Sequence, residues 1–315
     1  MDSKKMWQRA AIAIIGGSAV VSLIVLAFVW PTRTIAIHNI PVSVSGDSAA
    51  AMQLENMLDS KEPGTFKFET ASSRDDAFQQ VVTRKTYGAI ALNAPGTPSE
   101  IIIASGASPI VANALTGLAG QLQATVTNAA PLAANDPTGS GLAAASFPLT
   151  IGGLIGAALT VFLAVGLRRR AAVLLGYSAI AGLSLSAILG SWLGFLEGGY
   201  AINALAIAVS IIAISAFVAG LATLLGRPGF IFGAVFTFLF ANPISAAALP
   251  WQFIAEPWGQ IGQYLVPGAA ANLIRTINYF PNADLTQQWL TLSIWAAVGL
   301  ALVVVGSLIR VRKAK

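Results

Sequence analysis

Apolar and polar positions alternate along this chain on two scales. The long scale consists of tracts free of charged side chains at residues 11–30, 147–167, 171–196, 200–225 and 291–309, with a shorter one at 230–249. A helix rises about 1.5 Å per residue, so roughly twenty apolar residues cross a hydrocarbon layer ~30 Å thick. The pattern therefore predicts an α-helical integral membrane protein with six transmembrane helices. The short scale occupies residues 32–146. Ala51, Leu54 and Leu58 recur at helical spacing after Asp47 or Ser48 as a cap, as do Phe78, Val81 and Val82 after Ser72 or Ser73. Short β-branched runs alternate with them. The segment is expected to form strand 35–44, helix 48–58, strand 65–70, helix 73–83, strands 87–92 and 100–105, and a long helix from 108 to 128. This is a small α/β domain inserted between the first and second spans. Asn93-Ala-Pro-Gly-Thr-Pro98 reads as a turn, and residues 129–141, with Pro131 and Asn135-Asp136-Pro137, lead back to the membrane.

A third pattern lies at residues 242–288. Pro243, Pro250, Pro257, Pro267 and Pro281 forbid one continuous helix, while Trp251, Phe253, Trp258, Tyr264 and Tyr279 need burial or an interface. Short re-entrant or interfacial helices satisfy both constraints. Irregular backbone at membrane depth must be covered by protein or line a cavity. The chain thus divides into a tail and first span (1–31), the α/β insert (32–146), and a five-helix membrane block (147–315) whose outer re-entrant segment is 242–286.

Composition agrees with a membrane solvent, since 56% of residues are hydrophobic and 10% are charged. The net charge of +5 would suit nucleic acid, but its distribution argues against that partner. Lys4, Lys5, Arg9, Arg168, Arg169, Arg170, Arg227, Arg310, Arg312, Lys313 and Lys315 all flank span ends on one side, where Asp2 is the only acid. Both termini are expected in the cytoplasm, with the insert outside a bacterial inner membrane. The first tract has no small-x-small site before Trp30-Pro31 and is expected to be an uncleaved anchor. Cysteine is absent, so disulfides and thiolate metal sites are excluded.

Few residues carry candidate chemistry. No Gly-Lys dipeptide occurs, so a phosphate-cradling P-loop cannot be built. His38 is the only histidine and reads as an ordinary strand residue. Asp75 and Asp76 point about 100° apart on a helix and suit a solvated first turn. Asp136 reads as a turn residue. No catalytic set, metal site or cofactor is expected. Glu197, Trp251, Glu256, Pro257, Trp258 and Arg275 are the candidates for lining or gating a path at the outer face, because ionisable groups at a membrane boundary are costly without a role. Arg275 is expected to pair with Glu256 or Asp284, or to meet a lipid phosphate or substrate anion. Arg168, Arg169, Arg170 and Arg227 are candidates for contact with a cytoplasmic partner or anionic lipid, beside their topological role. Gly152, Gly153 and Gly156, and Gly16-Gly17, permit close helix approach.

Three stretches resemble a known family: Ile40-Pro-Val-Ser-Val-Ser-Gly-Asp47; Ser73-Arg-Asp-Asp-Ala-Phe78 through Tyr87-Gly-Ala-Ile-Ala-Leu92; and Asn242-Pro243 through Pro250-Trp-Gln-Phe253, Pro257-Trp-Gly-Gln260 and Pro267-Gly268. Together with the order of span, insert and five-span block, they are similar to membrane subunits of type 2 ABC exporters, in the branch of YhgE/Pip (phage infection protein) proteins. That resemblance implies a transport permease working with a separate ATPase, a homodimer or paired similar subunit, and a path between paired membrane blocks. Such exporters usually place an interface helix before the first span and a coupling helix in an inner loop. Nine residues and three arginines occupy those places here. A non-transporting scaffold or receptor, whose outer domain binds an envelope partner, is the alternative.

Overall fold

A computed structural model describes residues 3–33, 37–92 and 100–313. The insert follows helix α1 (Ser3–Arg33) and contains β1 (Ile40–Ser45), α2 (Ser48–Lys61), β2 (Phe66–Ala71), α3 (Arg74–Val82), β3 (Gly88–Ala91), β4 (Glu100–Ile103), α4 (Pro109–Leu122) and β5 (Thr125–Asn128). Its helices start where a side chain accepts the first free amides: Asp47 takes Ala49 N and Ala50 N at 3.0 and 3.1 Å, and Ser73 takes Asp76 N at 3.1 Å. The sheet order is β2-β1-β3-β4-β5, parallel throughout except for the antiparallel β3–β4 pair. Ile40, Val42, Ile90, Ile101 and Leu115 form its buried core. The turn expected at 93–98 lies outside the described residues, as do residues 34–36; the strand expected from 35 begins only at Ile40, so His38 precedes it instead of lying on it.

One expectation is overturned. The helix begun at Pro109 stops at Leu122, because Gln123 adopts a left-handed φ of 53°. Thr125-Val126-Thr127 then pairs with β4 as a fifth strand. Two β-branched threonines around a valine prefer the pleated conformation, and the helical reading extended across them.

The membrane block comprises α5 (Ser140–Leu163), α6 (Leu167–Ser186, continued by a wide π turn to Trp192), α7 (Tyr200–Leu225), α8 (Arg227–Val235, continued by a second π turn to Ala241), α9 (Trp258–Gln263), α10 (Val266–Tyr279) and α11 (Thr286–Lys313). Among the described residues five helices are long and apolar enough to cross a membrane: Met6–Trp30, Ser140–Leu163, Leu167–Trp192, Tyr200–Leu225 and Thr286–Arg310. The sixth apolar tract is shorter. Its helix, Arg227–Ala241, spans about 22 Å at 1.5 Å per residue, less than the ~30 Å hydrocarbon layer. The buried carboxylate of Asp136 accepts Gly141 N and Leu142 N, both at 3.0 Å, and so starts α5 seven residues ahead of the expected tract.

Helix α7 is the hub. Ala206, Ile207, Ile211, Ala213, Ala216, Val218 and Ala219 are fully or almost fully buried along it. Small residues let neighbours close on it: a Cβ at Gly299 of α11 would stand 2.4 Å from the Phe217 amide nitrogen, and one at Gly153 of α5 would stand 2.6 Å from Ile214. Ser215 seals the α5 contact by donating to the Gly153 carbonyl at 2.8 Å. Gly16 and Gly17, by contrast, have nothing near them. Helix α1 is peripheral; its Phe28 meets Phe147 and Phe238 at 6.0 and 5.6 Å, while Ile12, Ile14 and Ile15 stay exposed.

These contacts set an expectation for two glycine substitutions. Gly299→Val forces the α7–α11 backbones apart and should lower stability by about 1–3 kcal/mol, seen as a lower thermal midpoint of the detergent-solubilised protein. Gly16→Val should leave the midpoint unchanged.

Candidate functional site

The chain between α8 and α10 is broken and tightly layered. Pro250 precedes a short 3₁₀ turn at Trp251–Phe253, and Ala246 takes a left-handed φ of 53°. At Gly262 an added Cβ would fall 1.9 Å from the Ile244 carbonyl oxygen, so only glycine allows the two layers to meet. Carbonyls freed by this irregularity find side-chain donors. Gln263 Nε2 serves Ser245 O at 3.2 Å, Arg275 Nη2 serves Ala247 O at 3.1 Å and Trp295 Nε1 serves Tyr264 O at 2.9 Å. The hydroxyl of Thr150 on α5 donates to the Asn242 side-chain oxygen at 3.1 Å.

The insert sits on this segment. Phe253, 1% exposed, is part of the insert's own hydrophobic core. Tyr87 donates its hydroxyl to Gln252 Oε1 at 3.0 Å, and Arg275 Nη1 donates to Gly106 O at 3.2 Å. Arg84, in the left-handed turn after α3, donates Nη1 to Asn272 Oδ1 at 2.6 Å and to the Thr276 hydroxyl, and its guanidinium lies 5.2 Å from the centre of the Phe280 ring.

Between the two parts lies a cavity of about 350 Å³. Arg84, Lys85 and Tyr87 line it from the insert; Trp251, Gln252 and Gln263 from the broken segment; Asn272 and Arg275 from α10; Asp284 from the link before α11, and Gln287 and Gln288 from the first turn of α11. Three cations thus face one acid. Asp284 already accepts Thr286 N and its hydroxyl at 2.8 and 2.6 Å, capping α11. Among the described residues the ion pairs are Lys67–Glu69, Arg74–Asp75 and Arg74–Glu100, and neither Arg84 nor Arg275 takes part. Burial pushes the Arg84 guanidinium down to about 10, with Arg275 adding repulsion and Tyr87 opposing it. Burial likewise raises the Tyr87 phenol above its ordinary value. The Oε1 atom of Gln288 is buried there without a partner.

Of the outer candidates, Arg275 and Trp251 line the cavity. The expected pairing of Arg275 with Glu256 or Asp284 is absent; it is 8% exposed and holds backbone carbonyls of both parts instead. Glu256 and Pro257 are exposed on the turn before α9. Trp258 is 44% exposed, meets Phe240 edge-on at 5.8 Å and does not line the cavity with Trp251; the non-helical turn at Ala255–Pro257 separates the two. Glu197 is exposed in the link before α7, where the neighbouring Gly198 N donates to Asn278 Oδ1 at 2.7 Å.

At the opposite end, Arg168, Arg169 and Arg227 are exposed. Arg170 is buried and structural. It donates to Ala164 O, the Thr223 hydroxyl and the Ser307 hydroxyl at 3.3, 3.1 and 3.2 Å, tying α5, α6, α7 and α11 together. The three arginines form the first turn of α6 rather than a loop. Arg310 caps the end of α7 through Thr223 O and Ala222 O at 2.8 and 2.9 Å. Sequence reasoning passed over Arg84, Lys85 and Asn272. Their one signal is a pair of adjacent cations just past the end of a helix in a domain rich in acids.

No three of His, Cys, Asp and Glu gather to hold a metal among the described residues. No protein-family model and no curated protein matches the chain.

The two ends of the Arg84 contact should behave unequally. Arg84→Met removes a desolvated charge together with its need for partners, and the thermal midpoint should move little. Asn272→Ala leaves the guanidinium without its short acceptor and should cost about 1.5–3 kcal/mol, read from the same unfolding curve.

Proposed function

We propose that the protein is the membrane subunit of an exporter-type assembly, a transport permease that receives an amphipathic or lipid-like molecule at the junction of insert and membrane block and works with a separate ATPase. The observation that carries this reading is the cationic cavity, built jointly by Arg84 of the insert and Arg275 of α10. A cavity shared by an outer domain and a membrane block lets movement of one part change access to the other. In this reading the insert lies outside the bacterial inner membrane, both termini lie inside, Arg227–Ala241 with the stretch after it serves as a sixth, incomplete span, and two similar subunits pair.

The second reading is a non-transporting receptor or scaffold whose outer domain binds an envelope partner. One observation favours it. In the same orientation the inner connections are Ala164 to Gly166 between α5 and α6, and Gly226 alone between α7 and α8, so neither connection holds a helix for an ATPase to push.

Topology is tested first. A cysteine replacing exposed Gln79 should react with an impermeant maleimide in intact cells, and one replacing exposed Arg169 only after lysis; the reverse pattern would sink the proposed orientation. Function is tested by purifying the tagged protein in mild detergent and reconstituting it. Co-purification of an ATPase, with ATP-dependent movement of a fluorescent anionic phospholipid, supports transport. A stable complex with an envelope protein, no ATPase and no movement supports the receptor.

A further inference from the structure

The polar cavity has an apolar neighbour. A groove of about 250 Å³ runs beside it, and Phe28 of α1, Phe147 of α5 and Ile254 are among its walls. Ser245, Ala246, Ala247 and Leu249 line both spaces. One stretch of chain therefore presents a cationic, amide-rich chamber on one side and an aromatic and aliphatic groove on the other. The chamber holds Arg84 and Arg275 with no described carboxylate in ion-pair distance of either, Asp136 acting on Arg275 only from farther away. Two guanidiniums confined together repel, and water alone screens them poorly when they are buried.

We propose that these two spaces are one site for an anionic amphipath with a phosphate head, the head held between Arg84, Lys85 and Arg275 and the hydrocarbon tail lying beside Phe28 and Phe147. Guanidiniums present N–H donors in a planar fork that matches phosphate oxygens, and the amides of Gln263 and Asn272 add further hydrogen-bonding groups on the same wall. A tail in the groove would lie against the half-buried ring of Phe28, which already packs on Phe147 and Phe238. The site deepens the transport reading by naming the substrate class, and it rests on that reading only for what happens after binding.

The test uses the full-length protein in detergent, with thermal shift and native mass spectrometry as readouts. Probes are inorganic phosphate, short-chain phosphatidylglycerol and short-chain phosphatidylcholine. Two substitutions at exposed positions separate head from tail: Lys85→Gln in the chamber and Ala248→Trp in the groove, where Ala248 lines the groove but not the chamber. Phosphatidylglycerol should stabilise the protein more than either other probe and remain bound at one per chain, and each substitution should weaken it about tenfold. Equal stabilisation by phosphatidylcholine overturns the anionic head. Equal stabilisation by inorganic phosphate, with Ala248→Trp silent, overturns the amphipath and leaves a free-anion site. Binding that survives while reconstituted transport fails rejects the transport reading alone; transport without this binding rejects the site alone.

Discussion

Backbone that leaves a helix near a membrane must find hydrogen-bond partners, and the stretch between α8 and α10 is where this chain meets that requirement. An unpaired buried carbonyl costs free energy comparable to a lost hydrogen bond. Gln263, Arg275 and Trp295 supply the donors for Ser245, Ala247 and Tyr264. Each donor comes from an element that must be in place first: α9, α10 and α11. The insert completes the arrangement by receiving Phe253 in its core and offering Gly106 O to Arg275. Folding of the insert and closure of the broken segment are consequently one packing problem.

The same arrangement creates the electrostatic problem that defines the site. Arg275 is fixed by carbonyls and Arg84 by Asn272 and Thr276, so both guanidiniums are hydrogen-bonded without a salt bridge among the described residues, and the buried Asp136 acts on Arg275 only from beyond ion-pair distance. Carbonyl oxygens satisfy N–H groups without neutralising them. At the opposite end Arg170 and Arg310 use similar carbonyl and hydroxyl contacts, but there they cap α7 and knit helix ends together. Similar chemistry serves as staple at one end and as binding surface at the other, and what separates them is the space left between packed parts.

Five long apolar helices and the small mixed sheet with its helices were legible in the sequence because hydrophobic length and short-range period are local properties, whereas the sixth expected span is a helix too short to cross by itself. Capping was legible to within one residue for the same reason, and the structure selects Asp47 over Ser48 and Ser73 over Ser72. The fifth strand was not, since Thr125–Asn128 is too short for its period to stand out and forms by pairing with β4. Arg275 was recognisable as an isolated cation among outer loops, but its carbonyl partners at Gly106 and Ala247 are fixed by tertiary packing 169 and 28 residues away. Gly153 and Gly156 were readable as contact residues, whereas Gly299 was hidden because a single glycine in an apolar run carries no spacing signal. Arg84 looked like any charge at the end of a surface helix until α10 was laid against it.

The central claim is that the junction holds the head of an anionic amphipath between Arg84 and Arg275. The most direct measurement is a high-resolution cryo-electron microscopy map of the protein in nanodiscs containing phosphatidylglycerol. The account predicts head-group density within hydrogen-bond distance of both guanidiniums, continuous with tail density beside Phe28 and Phe147. A chamber holding only water, or a carboxylate of the protein swung in to pair with either arginine, would contradict it.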